Sequence, residues 1–371
     1  VTGVQTCALP IWPEMARRRK KKSQIGFLRW GFLALVLGGG IGGYLNPDLP
    51  FIGPLVARLN VPEVVSPQAL QTEGEKVVES LSAVISNGES DDTTGANETR
   101  GLVIPQTSTD RKPADRIRIA TFNIQIFGQS KIGKPDVVEI LAQIVRRYDL
   151  VAIQEIRTKK DTLMPTFINK VNEAGGNYDF LIGPRLGRTI STEQYAYIYD
   201  ASRIEYDPSS IGTMSDPNDL LHREPYVVRF RAKTPNPEDG FTFWLVNIHT
   251  DPDEVPEEID ALADAFQAMQ TARADEDDVI LLGDLNADEK KFGRLGRIPG
   301  MSWVVMGNVM TNTRKNHAYD NILFERGATS EYLGNWGVLD METTYGLSRE
   351  QALKVSDHLP VWADFDVRES R

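Results

Sequence analysis

The sequence predicts one large α/β (α+β) domain over residues 115–371, and three observations predict it. Short apolar runs of strand length, bounded by glycine or polar residues, recur along this region. Between them lie longer stretches whose apolar residues return every 3.6 positions, as on one face of a helix. Strands mixed with helices in this way build one layered domain around a common core.

The elements follow in order. Ile117, Ile119, Thr121 and Phe122 predict a strand ending at Asn123. Pro135 suits the first turn of a helix, in which Val137, Val138, Ile140, Leu141, Ile144 and Val145 keep the helical period. Leu150, Val151, Ala152 and Ile153 form a buried strand leading to Gln154 and Glu155. A helix is expected over 162–174, and strands over 178–182, 195–199, 226–231 and 241–248, the last reaching His249. The helix at 255–273 carries Ile259, Leu262, Phe266 and Met269 on one face. Val279, Ile280, Leu281 and Leu282 read as a strand buried on both faces, ended by Gly283 and followed by Asp284, Asn286 and Asp288. From an extended chain Asp284 and Asn286 would point the same way. Strands at 320–324 and 361–367 complete the domain.

Composition narrows the function. With 371 residues and 41% hydrophobic content, the chain has ample material for a core. A net charge of −11 argues against coating nucleic acid by charge alone. It leaves room for a phosphodiester enzyme, because a bound cation supplies positive charge locally. The single cysteine, Cys7, excludes an intrachain disulfide and a cysteine metal centre.

Outside the domain, residues 1–14 read as a non-native leader before Met15. Residues 15–45 combine the basic block from Arg17 to Lys22 with an apolar run of roughly 20 residues, the pattern of a membrane anchor or signal segment. This places the domain outside the cytoplasm, membrane-anchored or secreted. Residues 46–114 turn to Pro, Gly, Ser, Thr and acidic residues and read as a low-complexity stalk, with one helix expected near 73–85.

Five strand ends carry chemistry: Asn123, Glu155, His249, Asp284 with Asn286, and Asp357 with His358 before the last strand. Hydrolysing a phosphodiester needs a cation against the developing charge, a base to activate water and an acid to protonate the leaving oxygen. Carboxylates and amides suit the first task and histidines the other two. Of four histidines (His222, His249, His317 and His358), two fall at strand ends.

The stretches TFNIQIFG, QEIR, LGR, REP, NIH, LLGDLNAD, AYD, YGLS and VSDHLPV resemble, in order and spacing, the endonuclease/exonuclease/phosphatase superfamily, nearest to deoxyribonuclease I. The resemblance spans roughly the whole domain. It implies a four-layer sandwich of two packed mixed β-sheets flanked by helices, and divalent-metal-dependent cleavage of DNA with Mg²⁺ or Mn²⁺. By the same resemblance Glu155, Asn123 and Asp357 would hold the metal, while Asp284 and Asn286 would hold the scissile phosphate or the metal and orient water. His358 with Asp320 and His249 with Glu193 would form two imidazole–carboxylate pairs. His358 is assigned as base and His249 as acid, and the assignment is reversible. Arg157, Arg188 and Arg223 would contact the DNA backbone or grooves.

Several positions depart from the family. Gln125 stands where arginine is usual, Ser191 where an aromatic residue packs on the minor groove, and His317 where a cysteine is expected. The loops that bind structural Ca²⁺ in the family do not align clearly, which leaves Ca²⁺ as a secondary expectation beside Mg²⁺ or Mn²⁺. The chemistry therefore admits a second substrate class, lipid head groups or small phosphate esters. A binding module without catalysis would have lost residues from these strand ends, and all are present.

Overall fold

Apolar alternation sets the layers. The computed structural model describes residues 112–189 and 192–370. The leader, the segment at 15–45, the stalk up to residue 111 and Ser191 lie outside the described residues. Among the described residues, thirteen strands fall into two sheets. The first contains β1 (Arg116–Phe127), β2 (Leu150–Ile156), β3 (Tyr178–Ile182), β4 (Gln194–Asp200), β12 (Tyr332–Val338) and β13 (Val361–Asp366), in the order β12-β13-β1-β2-β4-β3. The second contains β5 (Ile204–Tyr206), β6 (Gly212–Thr213), β7 (Tyr226–Ala232), β8 (Thr242–His249), β9 (Val279–Asp284), β10 (Met301–Trp303) and β11 (Asp320–Glu325). Its order is β10-β11-β9-β8-β7-β5, with β6 on β7.

Each sheet has one parallel pair near its middle, β1 with β2 and β8 with β9. Parallel neighbours need a long crossover, and a helix supplies each one. Between β1 and β2 run α1 (Gln129–Ile132) and α2 (Pro135–Arg146), followed after β2 by α3 (Leu163–Asn172). Between β8 and β9 runs α4 (Val255–Gln270), and α5 (Met341–Tyr345) and α6 (Arg349–Val355) precede β13.

Three apolar layers hold this together. Ile117, Leu150, Tyr197, Phe230, Leu245 and Leu282 fill the space between the sheets. Phe122, Val151 and Ile153 face α2 and α3 on the first sheet's outer side. Val246 and Leu281 face Ile259, Leu262 and Phe266 of α4 on the second. The order helix, sheet, sheet, helix is the expected sandwich. Polar ties cross between the sheets. Gln154 Nε2 donates to Asn247 Oδ1 at 2.7 Å, and the Tyr197 hydroxyl reaches the carbonyls of Tyr226 and Leu245 at 2.6 and 2.8 Å.

Some boundaries differ from expectation. The folded domain already includes Lys112, whose Nζ donates to the Tyr148 carbonyl at 2.7 Å and pairs with Asp200 at 3.1 Å. β1 continues past Asn123 to Phe127, and β2 past Glu155 to Ile156. α4 ends at Gln270 rather than 273, and Arg273 beyond it pairs with Asp207 at 3.0 Å. Among the described residues, no helix is long and apolar enough to cross a membrane.

Candidate active site

Strand alternation delivers polar side chains to the face that also makes the core between the sheets. On β8, Phe243 and Leu245 face that core, so Asn247 and His249 do too; on β9, Ile280 and Leu282 precede Asp284. On β11, Asp320 precedes Ile322 and Phe324 with the same parity, and on β1 Ile117 and Ile119 lead to Asn123. His249 and Asp320 are both register partners of Asp284, so three adjacent strands place their polar residues in one row.

Glu155 reaches the site only because the alternation breaks. Gln154 has the inward parity and is buried against Thr121 and Asn247, which alone would send Glu155 toward the helices. The register shifts between β1 and β2 beyond Asn123 and between β2 and β4 beyond Ile153. Glu155 adopts φ 62° there and Ile126 φ 49°. Positive φ at a β-branched residue such as Ile126 is strained, and strain of this kind gathers at functional sites. The result joins two strands. Glu155 Oε1 accepts from Asn123 Nδ2 at 3.2 Å, and Oε2 accepts from the Ile126 N–H at 2.9 Å.

The two imidazoles stand on either side of Asp284. His249 Nε2 and His358 Nε2 both lie 3.5 Å from Asp284 Oδ2. Behind them, His249 Nδ1 meets Glu193 Oε1 at 2.6 Å and His358 Nδ1 meets Asp320 Oδ2 at 2.9 Å. All five groups are buried. Asp284 Oδ2 also accepts from Asn123 Nδ2 at 3.0 Å, which links the imidazoles to Glu155. Burial opposes charge on both rings, but the facing carboxylates outweigh it. His249 is raised by Glu193 and Asp284, and His358 is raised to about 10 by Asp320 and Asp284. Burial pushes Asp284 up, yet the two imidazoles hold it below the usual carboxylate range. Burial raises Asp320.

Beside this row lie oxygens suited to a cation. Asn123 Oδ1 and Asp357 Oδ1 are buried and accept no hydrogen bond from any described residue. Gln125 Nε2 holds the other Asp357 oxygen at 2.9 Å. An all-oxygen set of amide and carboxylates fits a hard divalent cation. Asp284, Asp320 and His358 also converge, with candidate ligand atoms within 4.8 Å of one another. The facing atoms of Asp320 and His358 are already spent on their mutual bond, whereas Asn123 Oδ1 and Asp357 Oδ1 accept nothing from the described residues, so either group could hold an ion.

Comparison with known proteins decides the family. The sequence profile of the Endonuclease/Exonuclease/phosphatase family matches residues 120–358. The chain belongs to this family. Deoxyribonuclease-1-like 1 of Chlorocebus aethiops is 33% identical over 260 residues, covering 67% of this chain and 84% of that protein. Deoxyribonuclease gamma of Rattus norvegicus is 32% identical over 272 residues, covering 69% and 86%. Deoxyribonuclease-1 of Bos taurus is 31% identical over 262 residues, covering 66% and 90%.

Within the family segment, Asn123, Glu155, Glu193, His249, Asp284, Asp320, Asp357 and His358 meet in one site. Asn286 joins it differently from the extended geometry expected. It turns to φ 48°, its N–H caps Asp284 Oδ1 at 3.0 Å and its Nδ2 donates to the Thr250 carbonyl at 2.9 Å. The arginines are paired with groups of the chain itself. Arg223, expected at the DNA backbone or grooves, is buried, with Nε 2.8 Å from Glu193 Oε1 and Nη1 donating to the His249 carbonyl at 3.0 Å. Arg157 bridges Glu155 and Glu193 at 3.3 and 3.2 Å. Arg188 pairs with Asp219 and Glu254 at 2.8 and 2.7 Å.

Supporting residues went unread in the sequence. Thr311 Oγ1 donates to Asp320 Oδ2 at 2.8 Å, and Ser356 Oγ donates to the Asn123 carbonyl at 2.6 Å. Buried Glu258 accepts from the N–H groups of His222 and Asp251 at 2.7 and 3.0 Å, pinning the loop that leaves His249. Thr311 sits in an undistinguished loop, and Ser356 lies inside VSDHLPV beside the more conspicuous Asp357 and His358; Glu258 occupies the first turn of α4, where acidic residues are ordinary.

Proposed function

We propose that this chain is a divalent-metal-dependent phosphodiesterase that cleaves DNA with little sequence preference. The observation that carries the reading is the pair of buried imidazoles, each backed by its own carboxylate, facing Asp284 beside unpartnered amide and carboxylate oxygens. Relatives named deoxyribonucleases, about a third identical across most of their length, support DNA as substrate.

Glu155, Asn123 and Asp357 would hold the cation, Mg²⁺ or Mn²⁺, which when bound supplies positive charge against the charge developing on the phosphate. The protein's own groups move the protons. Asp320 fixes His358 by its Nδ1 and, with Asp284, holds the ring protonated, so that its Nε2 gives a proton to the leaving oxygen; Glu193 fixes His249 in the same way and leaves its Nε2 to take a proton from the attacking water. Exchanging the two roles leaves the chemistry unchanged. Asp284, capped by the Asn286 N–H and by Asn123, stays ionised between the rings and orients the water.

Plasmid nicking tests this. The full chain should nick plasmid with Mg²⁺ and stop with chelator. His249→Ala and His358→Ala should each lower kcat by about 10²–10⁴. Nicking without metal, or undiminished in both variants, overturns the reading.

One observation favours a second substrate. Arg188 and Arg223 are both committed to carboxylates, and Gln125 replaces the family's arginine and contacts Asp357. Fewer cations are then presented to a duplex, which suits a smaller phosphodiester such as a lipid head group. A panel of plasmid, single strand, RNA and sphingomyelin under one metal condition ranks them. The basic block and apolar run at 15–45 support tethering of the domain outside the cytoplasm. Protease protection of the full chain in sealed vesicles tests that placement.

A further inference from the structure

A second carboxylate cluster lies at the start of β9, where Asp284 marks the end. Six residues of strand, roughly 20 Å, separate the two. Asp278, Glu331 and Glu369 bring ligand oxygens within 4.8 Å of one another. They come from three distant segments: the approach to β9, the residue before β12 and the tail after β13. Asp278 is 4% exposed and Glu331 2%, while Glu369 is half-buried at the mouth of a cleft of about 250 Å³.

The partners of this cluster are unbalanced. Glu331 Oε1 accepts from the Ser370 N–H at 2.6 Å, and Glu369 Oε2 accepts from the Thr242 N–H at 3.0 Å. Asp278 Oδ1 and Glu331 Oε2 are buried and accept nothing from the described residues. Neighbouring Glu276 has Arg229 at 2.8 Å, but among the described residues no lysine or arginine pairs with Asp278, Glu331 or Glu369. Buried, unpaired carboxylates cost several kcal/mol each unless a counter-charge accompanies them.

We propose that Asp278, Glu331 and Glu369 bind a hard divalent cation of calcium's size, which clasps β9, the entry to β12 and the C-terminal tail. Every donor is oxygen, with the buried Thr329 hydroxyl beside Asp278 as a further ligand, so zinc and other soft-ligand metals are disfavoured. Three carboxylates from irregular segments suit the loose coordination of Ca²⁺ better than the strict octahedron of Mg²⁺. The rival arrangement is a proton shared among the three.

Thermal unfolding of the full chain, stripped with chelator, separates the two. The work uses a Glu155→Gln background, so that an ion at the imidazole site contributes less. Ca²⁺ at roughly 100 times its Kd should raise Tm by about 5–10 °C, with a smaller rise for Mg²⁺. Adding Asp278→Asn, or Glu369→Gln at the half-buried edge should the first variant not fold, should remove most of the rise. No rise with Ca²⁺, or a rise that survives the added substitution, overturns the site. A Tm that falls from pH 5 to pH 9 without responding to Ca²⁺ assigns the cluster to a shared proton and overturns it as well.

Discussion

Glu258 is a buried carboxylate that forms no close ion pair with a described residue, and it shows what a single side chain contributes here. Burial raises its pKa to about 7, although two backbone N–H groups point at it. Its folded pKa stands above the unfolded one, so its stabilising contribution is complete below about pH 4.5 and is lost as pH rises through 7. We expect stability to fall by roughly 2–3 kcal/mol over that window on this group's account. Glu258→Gln, which gives up one acceptor, should be less stable at pH 4.5 but should lack this slope; urea unfolding at several pH values measures both. At the same scale, the residue types of the candidate site were legible, because His249 and Asp284 end strands, Asn123 follows the apolar run of β1 and His358 shortly precedes β13. The orientation of Glu155 was not. Its φ of 62° depends on a register shift between strands that are far apart in sequence, and no local pattern encodes it.

Elements with strong periods were readable and weakly patterned ones were not. α2 and α4 repeat apolar residues on one face, and the buried strands β2 and β9 are continuous apolar runs. β12, YLGNWGV, has two glycines and an exposed middle, so neither alternation nor a buried run marks it. β5, β6 and β10 are two or three residues long and exist only through their neighbours. α6 did carry a local mark, the capping box of Ser348 and Gln351, which went unread beside the stronger YGLS motif. Gly283 sits where β9 meets β8 at closest approach. Its φ is 147°, and a Cβ there would lie 1.9 Å from the Ile248 carbonyl oxygen. Gly283→Ala should therefore cost at least about 3 kcal/mol. Chemical denaturation checks it, and a loss below about 1 kcal/mol would mean the strands separate there more easily than their packing indicates.

At the scale of the whole described domain, two sheets meet at an edge that carries the site. Asn123, Glu155, Glu193 and His358 come from the first sheet or its loops, and His249, Asp284 and Asp320 from the second. Their separation is set just beneath them by Asn247, which accepts from Gln154 and donates to the carbonyls of Ile153 and Ala196 at 3.2 and 3.3 Å. Asn247→Leu keeps the volume and removes the polar tie. It should lower stability by about 2–4 kcal/mol, and it should slow nicking at temperatures where the variant is still folded; an unchanged rate would show that the sheets hold their spacing by apolar packing alone. The row formed by His249, Asp284 and Asp320 has a larger consequence. Because pleating reverses direction at every step, shifting β9 by a single position would preserve an oily strand yet swing its carboxylate out among the helices. The fold thus tolerates drift in sequence far better than drift in count. Deletions or insertions between Val279 and Asp284 should be much rarer among functional descendants of this chain than substitutions of one aliphatic residue for another.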